Sequence, residues 1–170
     1  EESKIKKVRF YFFNGDGSPY LIKPTGSEVT GGENVNWLEV SNPTDDTTTP
    51  GTSTSVEKIT NAVLVINGVQ SAAPSAIVAV VNPETVDPAV LENNGSMRLS
   101  QLRENAVGST FYKTDAGKVT DFVMSNSVFV NAGSDVCASL VAGHVATSAD
   151  KAKANPVDLY VERVVAKVTA

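Results

Sequence analysis

The chain has a single cysteine, Cys137, and a single histidine, His144. An internal disulfide framework is therefore excluded. A zinc site would need more nitrogen and sulfur donors than the chain owns, unless carboxylates supplied the rest. A Cys–His nucleophilic pair would have to use both residues, held within hydrogen-bond reach of each other. Cys137 lies in the apolar run 136–141 and reads as a small buried hydrophobe. His144 follows Gly143 in a loop-like stretch and reads as solvated. Basic residues are also few: 14 Lys and Arg stand against 19 Asp and Glu, and they are dispersed. The clustered basic footprint of a nucleic-acid binder is missing. No apolar run approaches the ~18 residues that span a bilayer. The glycine pairs Gly15-Asp16-Gly17 and Gly31-Gly32 match no phosphate-binding loop. The residues thus point away from catalysis, although a carboxylate pair facing across a sandwich would leave no trace in spacing.

What is present is strand signal. Residues 5–13 alternate, with Val8, Phe10 and Phe12 expected on one face and Lys7, Arg9 and Tyr11 on the other. Asn14-Gly15-Asp16-Gly17-Ser18-Pro19 reads as a tight turn, and 20–23 as its short return strand. Asn14, Asp16 and Ser18 alternate as in a cation loop, but that loop's third ligand and closing glutamate are missing. Residues 35–40 form a third strand. The apolar runs 62–66 and 76–81 read as strands buried on both faces, the second stopped by Asn82-Pro83. Residues 121–127, 128–130 and 136–141 read as three more, and 142–155 as a small polar connection.

Between 84 and 106 the period changes. Residues 88–92 suit one helical turn, and Leu99, Leu102 and Ala106 recur at helical spacing, predicting a short helix over an open end of the fold. The polar stretch 41–55, dense in Thr, Asp and Pro, reads as a flexible loop. The closing stretch 157–170 is β-rich but changes phase. Val157, Leu159 and Val161 share one face while Val164, Ala166 and Val168 share the other, predicting a bulge or strand switch within 162–165. Together these features predict one domain over 1–170: all-β with a minor helical insertion around 84–106, an antiparallel Greek-key β-sandwich.

The stretch Val161-Glu162-Arg163-Val164-Val165-Ala166-Lys167-Val168 resembles the Glu-Arg-x-x-Ala-Lys-Val strand that ends the N-terminal domain of fimbrillins. Fimbrillins are the shaft subunits of type V pili on Bacteroidetes-type bacteria. The opening strand with Gly15-Asp16-Gly17 is similar to the family's first strand and turn. Residues 77–83 are similar to its apolar strand ending in Ala-Asn, and Leu99-Ser100-Gln101-Leu102 to its Leu-x-x-Leu helix. Phe122-Val123-Met124-Ser125-Asn126 resembles its Phe-x-Met-Thr/Ser-Asn strand.

The resemblance implies a transthyretin-like sandwich, one of two in tandem, on subunits that reach the outer membrane as lipid-anchored precursors. It implies no catalytic activity and no cofactor. A protease removes an N-terminal segment with its strand, and a neighbouring pilus subunit's strand fills the vacancy at the cell surface. This chain has no lipid-acceptor cysteine near its start and ends where a second sandwich would begin. It is therefore expected to correspond to a processed N-terminal domain. Its assembly core is expected to comprise Val8, Phe10, Phe12, Val161, Val164 and Val168, complete only with a partner's strand inserted. The other expected role is an adhesive module, binding host surface proteins or glycans through loops such as 41–55.

Asp46-Thr47-Thr48 also resembles the Asp-Ser/Thr-small-or-apolar acceptor pattern for O-glycans on exported Bacteroidetes proteins. By composition alone it is a solvated turn. The acceptor hypothesis adds a glycan on Thr47 that shields the loop from proteases. It predicts that host-purified protein has an intact mass above that of the polypeptide; a bare polypeptide mass removes it.

Overall fold

The computed structural model describes residues 5–23, 34–45, 60–69, 71–83, 97–105, 113–116, 118–126, 138–139 and 146–163. Its centre is a pair of strands, β1 (Lys7–Phe13) and, much later in the chain, β5 (Ala76–Val81). They run antiparallel in a register that sets Phe10 opposite Ala79 and Phe12 opposite Ile77. On its other side β1 pairs with β2 (Trp37–Ser41), with Phe10 opposite Leu38 and Tyr11 opposite Trp37. The outer side of β5 is divided. Its end takes β8 (Met124–Ser125), which in turn pairs with β10 (Glu162–Arg163), and its start takes β9 (Ala138–Ser139). These six strands form one antiparallel sheet, β10-β8-β5-β1-β2 with β9 beside β5. Two small hairpins stand apart from it, β3 (Thr44–Asp45) with β4 (Thr60–Asn61) and β6 (Lys113–Asp115) with β7 (Lys118–Thr120). The described protein is mainly β, as expected.

Several elements differ from their sequence reading. β1 keeps the expected alternation but has both faces covered: every residue from Val8 to Phe13 is buried, Tyr11 and Phe13 completely. A strand flanked by two others and covered above and below has no solvent face, so its alternation records which layer each residue enters. Val8, Phe10 and Phe12 share a face with Ile77, Ala79 and Val81; Arg9, Tyr11 and Phe13 share the other with Val78 and Val80. Tyr11 and Phe13 lie nearly parallel, their ring centroids 6.5 Å apart.

The run 62–66 is the opposite case. It forms no strand: Leu64 and Ile66 lean on the core, while Val63 is 41% and Val65 70% exposed. An apolar run states that burial would be favourable but supplies no partner for its backbone. The loop expected over 41–55 begins later, since Ser41 ends β2 and Thr44 and Asp45 pair with Asn61 and Thr60. Residues 20–23 do return beside β1, through Tyr20 N–H to the Phe12 carbonyl (3.0 Å). They then leave it, and Ile22 bridges Val35 and Gly68.

The expected strand 121–127 shortens to Met124–Ser125, because Asp121 sits at φ +50° and breaks the extended path. The connection 142–155 contains a helix, α2 (Ala149–Ala154), capped by Ser148, whose Oγ accepts from Lys151 N–H. It buries none of its residues, so the cap and not an apolar stripe marks it. The helix expected near 99–106 is α1 (Leu99–Asn105). Gln101 Oε1 accepts from Arg98 N–H (2.8 Å), half of a capping box, and Leu99 and Leu102 are buried. The hairpin β6–β7 had no counterpart in the sequence reading. Of the closing stretch, 157–161 pairs with nothing described but alternates as expected, with Val157, Leu159 and Val161 half-buried and Asp158 and Tyr160 exposed. The phase change beyond Arg163, the expected strand 128–130 and the helical turn 88–92 lie outside the described residues.

Where strands stop inside the core, asparagines continue their bonding. β8 ends at Ser125, and the side chain of buried Asn126 takes over along β5. Its Oδ1 accepts from Ala79 N–H (2.7 Å) and its Nδ2 donates to the Ile77 carbonyl (3.2 Å). Asn82, at φ +52° and fully buried, does the same at the other end of β5. Its N–H donates to the Lys7 carbonyl, its Oδ1 accepts from Lys6 N–H and its Nδ2 donates to the Phe122 carbonyl. Removing the Asn126 carboxamide would leave the buried Ala79 N–H unpaired and take a donor from the Ile77 carbonyl. Asn126→Ala is expected to cost on the order of 3 kcal/mol by denaturant melt. Asn126→Asp should recover little, since a carboxylate cannot donate to Ile77.

Candidate functional site

On the face of β1 and β2 that carries their charged residues, three strand positions meet. Arg9 lies directly opposite Glu39, and Lys7 opposite Ser41. Lys7 Nζ donates to Glu39 Oε1 (2.8 Å), while Arg9 Nε and Nη2 both donate to Oε2 (2.9 and 2.7 Å). The Glu39 side chain is only 4% exposed and that of Arg9 8%. The Arg9 guanidinium also stacks on Trp37, its central carbon 4.1 Å from the ring centroid, an attraction of about 1 kcal/mol. Register alone builds this cluster, because each partner is the cross-strand neighbour of another.

A buried ionic cluster invites a catalytic interpretation, but its carboxylate is occupied on both oxygens. Burial works against ionising Glu39, yet the hydrogen bond from Lys7 and the charge of Arg9 prevail, so its carboxyl titrates below the ordinary 4.5. Burial likewise opposes charge on Arg9, and Tyr11 and Glu39 outweigh it. Both carboxylate oxygens already accept charged donors, which leaves a poor base. The cluster ties the edge strand β2 to β1.

The turn 14–18 is held by its own side chains. Asp16 Oδ1 accepts from Ser18 N–H and from its hydroxyl, and Asn14 Nδ2 donates to Ser18 Oγ and the Pro19 carbonyl. Among the described residues no group of three or more His, Cys, Asp or Glu side chains is placed to hold a metal ion. Cys137 and His144 lie outside the described residues, as does Thr47.

Of the expected assembly core, Val8, Phe10 and Phe12 are together on one face and already buried at 6, 9 and 2% exposure. Val161 packs half-buried against the same core. Val164 and Val168 lie outside the described residues. Among the described residues the exposed large apolar side chains are elsewhere, at Val63, Val65, Val69 and Tyr160. Sequence reasoning missed Val63 and Val65 because it took 62–66 for a doubly buried strand. β2 supplies a second open row. Phe12 N–H donates to Asn36 O and Asn42 N–H to Lys6 O, so in this ladder Leu38 and Val40 bond inward to β1. The backbone groups of Trp37, Glu39 and Ser41 therefore point away from the sheet, and no described strand lies beyond β2. No model of a known protein family matches the chain, and neither the curated proteins nor the solved structures compared with it give a match.

The Glu39 carboxyl predicts an acid limb of stability. Its folded pKa lies below the unfolded one, so as pH falls the unfolded chain takes up the proton first. The contribution is complete above 4.5 and is lost as pH drops through the folded value. Glu39→Gln should flatten that part of the pH–stability curve. Glu39→Ala, which takes the buried carboxylate away from Arg9 and Lys7, is expected to cost about 3 kcal/mol at neutral pH by chemical denaturation.

Proposed function

We propose that this chain is a structural subunit domain of a bacterial surface fimbria: a fimbrillin-like, transthyretin-type Greek-key sandwich that accepts a strand from a neighbouring subunit. The supporting observation is the stretch 62–66. It has the composition of a strand buried on both faces, yet Val63 and Val65 are exposed and none of its residues is in a ladder. Such a segment offers unpaired N–H and C=O groups beside apolar side chains, which is what an added strand requires. In this reading the incoming strand lies along 62–66 and not over Val8, Phe10 and Phe12, which the chain itself covers. Covering Val63 and Val65 would contribute about 1.5–3 kcal/mol each before the cost of ordering the strand. The reading carries with it export to the cell surface, a lipid-anchored precursor at the outer membrane, no cofactor and no catalytic role.

An adhesive module for glycans or host proteins is the second reading, favoured by Tyr160. A tyrosine 68% exposed on an extended segment presents an aromatic face of the kind that stacks on sugar rings. Glycan-array binding by the isolated chain, lost in Tyr160→Ala, would favour it.

The two readings separate on one pair of variants. Val65→Asp alters an exposed side chain, so the isolated protein should keep its stability within about 0.5 kcal/mol. In the native host, Val65→Asp and Val63→Asp are expected to abolish the detergent-resistant subunit ladder and surface fibres. Fibres assembled at the normal level from both variants would refute strand acceptance at this segment.

A further inference from the structure

We propose that Asn67-Gly68 is a self-modification site, at which the Asn67 carboxamide is lost through attack by the backbone nitrogen of Gly68. The reaction needs a free backbone N–H after the asparagine, a small following residue and an unrestrained carboxamide. The fold provides all three at this position.

The register fixes the first. Lys23 N–H donates to the Asn67 carbonyl (2.8 Å) and Val69 N–H to the Leu21 carbonyl (3.1 Å), with Ile22 bridged to Gly68 between them. That pattern makes Ile22–Gly68 a non-hydrogen-bonded pair, in which both residues turn their N–H groups away from each other. Ile22 spends its N–H on the Val35 carbonyl (2.7 Å). The Gly68 N–H faces the outer side, where none of the described groups accepts it, and Gly68 is exposed.

Packing fixes the second. A Cβ on residue 68 would lie 2.1 Å from the Tyr20 hydroxyl oxygen and 2.9 Å from Cζ, and Tyr20 is itself buried. Glycine is therefore required here, and it is the residue that least obstructs ring closure. The third condition follows from exposure, since Asn67 is exposed and its carboxamide has no partner among the described residues.

Asn14-Gly15 is the internal control. The same dipeptide occurs there, but the Asn14 carboxamide donates to Ser18 Oγ (2.9 Å) and the Pro19 carbonyl (3.2 Å). Its own N–H is bonded to Ser18 O (2.8 Å). A carboxamide held by two acceptors is not free to swing back over the following peptide nitrogen.

The chemistry balances without a co-reactant other than water. Gly68 N loses its proton and bonds to Asn67 Cγ, the Cγ–Nδ2 bond breaks, and ammonia leaves with that proton. The cyclic imide then adds water at one of its two carbonyl carbons. One opening gives aspartate at 67; the other routes the main chain through Cβ and Cγ and leaves the former α-carbonyl as a carboxylate. The second product lengthens the backbone inside the Lys23–Asn67 and Leu21–Val69 pairing, so both bonds cannot hold their register.

The test is to incubate the folded full chain in mildly alkaline buffer and follow positions 14 and 67 by peptide mapping, with fragmentation that separates aspartate from isoaspartate. Conversion is expected several-fold faster at 67 than at 14, with isoaspartate present and a lower Tm in the isoaspartyl fraction. Asn67→Asp, which carries the charge without the longer backbone, should keep the native Tm. The proposal is overturned if position 67 remains an amide in the folded chain while the same sequence converts in an unfolded peptide. Equal or faster conversion at Asn14 would overturn it as well.

Discussion

The structure depends on one constraint: the backbone amides of β1 lie where water cannot reach them, so each must find a partner inside the protein. β2 and β5 supply most of them, and this is why β1 is hydrogen-bonded along both edges. The constraint bites hardest where those neighbours end. There, asparagine carboxamides stand in for peptide groups, Asn82 at the start of β1 and Asn126 along β5. A carboxamide carries the same donor and acceptor as a peptide unit. It can therefore extend a ladder past the residue at which the main chain must turn away. Asn36 makes a related substitution, its Nδ2 donating to the carbonyls of Phe12 and Met97 and so tying the residues before α1 to the sheet.

The ionic cluster of Lys7, Arg9 and Glu39 follows from the same arrangement. Once β1 is central, its polar residues are carried into a covered layer and must be neutralised there. Register puts Glu39 opposite Arg9, where its carboxylate takes the guanidinium's Nε and Nη2. Such a network is specific more than it is strong: it penalises any slip of β2 by one residue, which would carry Glu39 to the face of Val8 and Phe10.

How much of this was legible in the sequence varies by element, for physical reasons. β1 and β5 could be read because continuous β-branched and aromatic runs have few other stable uses. The helix α1 was visible in its leucine spacing. Alternation in β1 divided its faces as observed, but that the face of Lys7 and Arg9 is covered shows only once Glu39 and Trp37 are seen across from them. The stretch 62–66 was read as buried because apolarity reports a preference and not whether the preference is met. The asparagines escaped notice because in sequence they resemble turn residues, and Asn82 in an Asn-Pro pair most of all. Thr47, Val164 and Val168 fall beyond the described residues, so the fold bears on only part of the expected assembly core.

The pairing of Phe12 with Ile77 also has a history in time. These partners are 77 − 12 = 65 residues apart, so at ~5–20 residues per second a ribosome makes the first some 3–13 s before the second. For that interval β1 is an aromatic-rich strand without its β5 partner. Its nearest earlier relief is β2, whose register with β1 is complete once Ser41 has emerged. β2 is thus the first strand made that can pair with β1 in the observed register, with Glu39 opposite Arg9. The Arg9–Glu39 pair, which holds the finished sheet in register, therefore joins two strands that are both made before β5 exists.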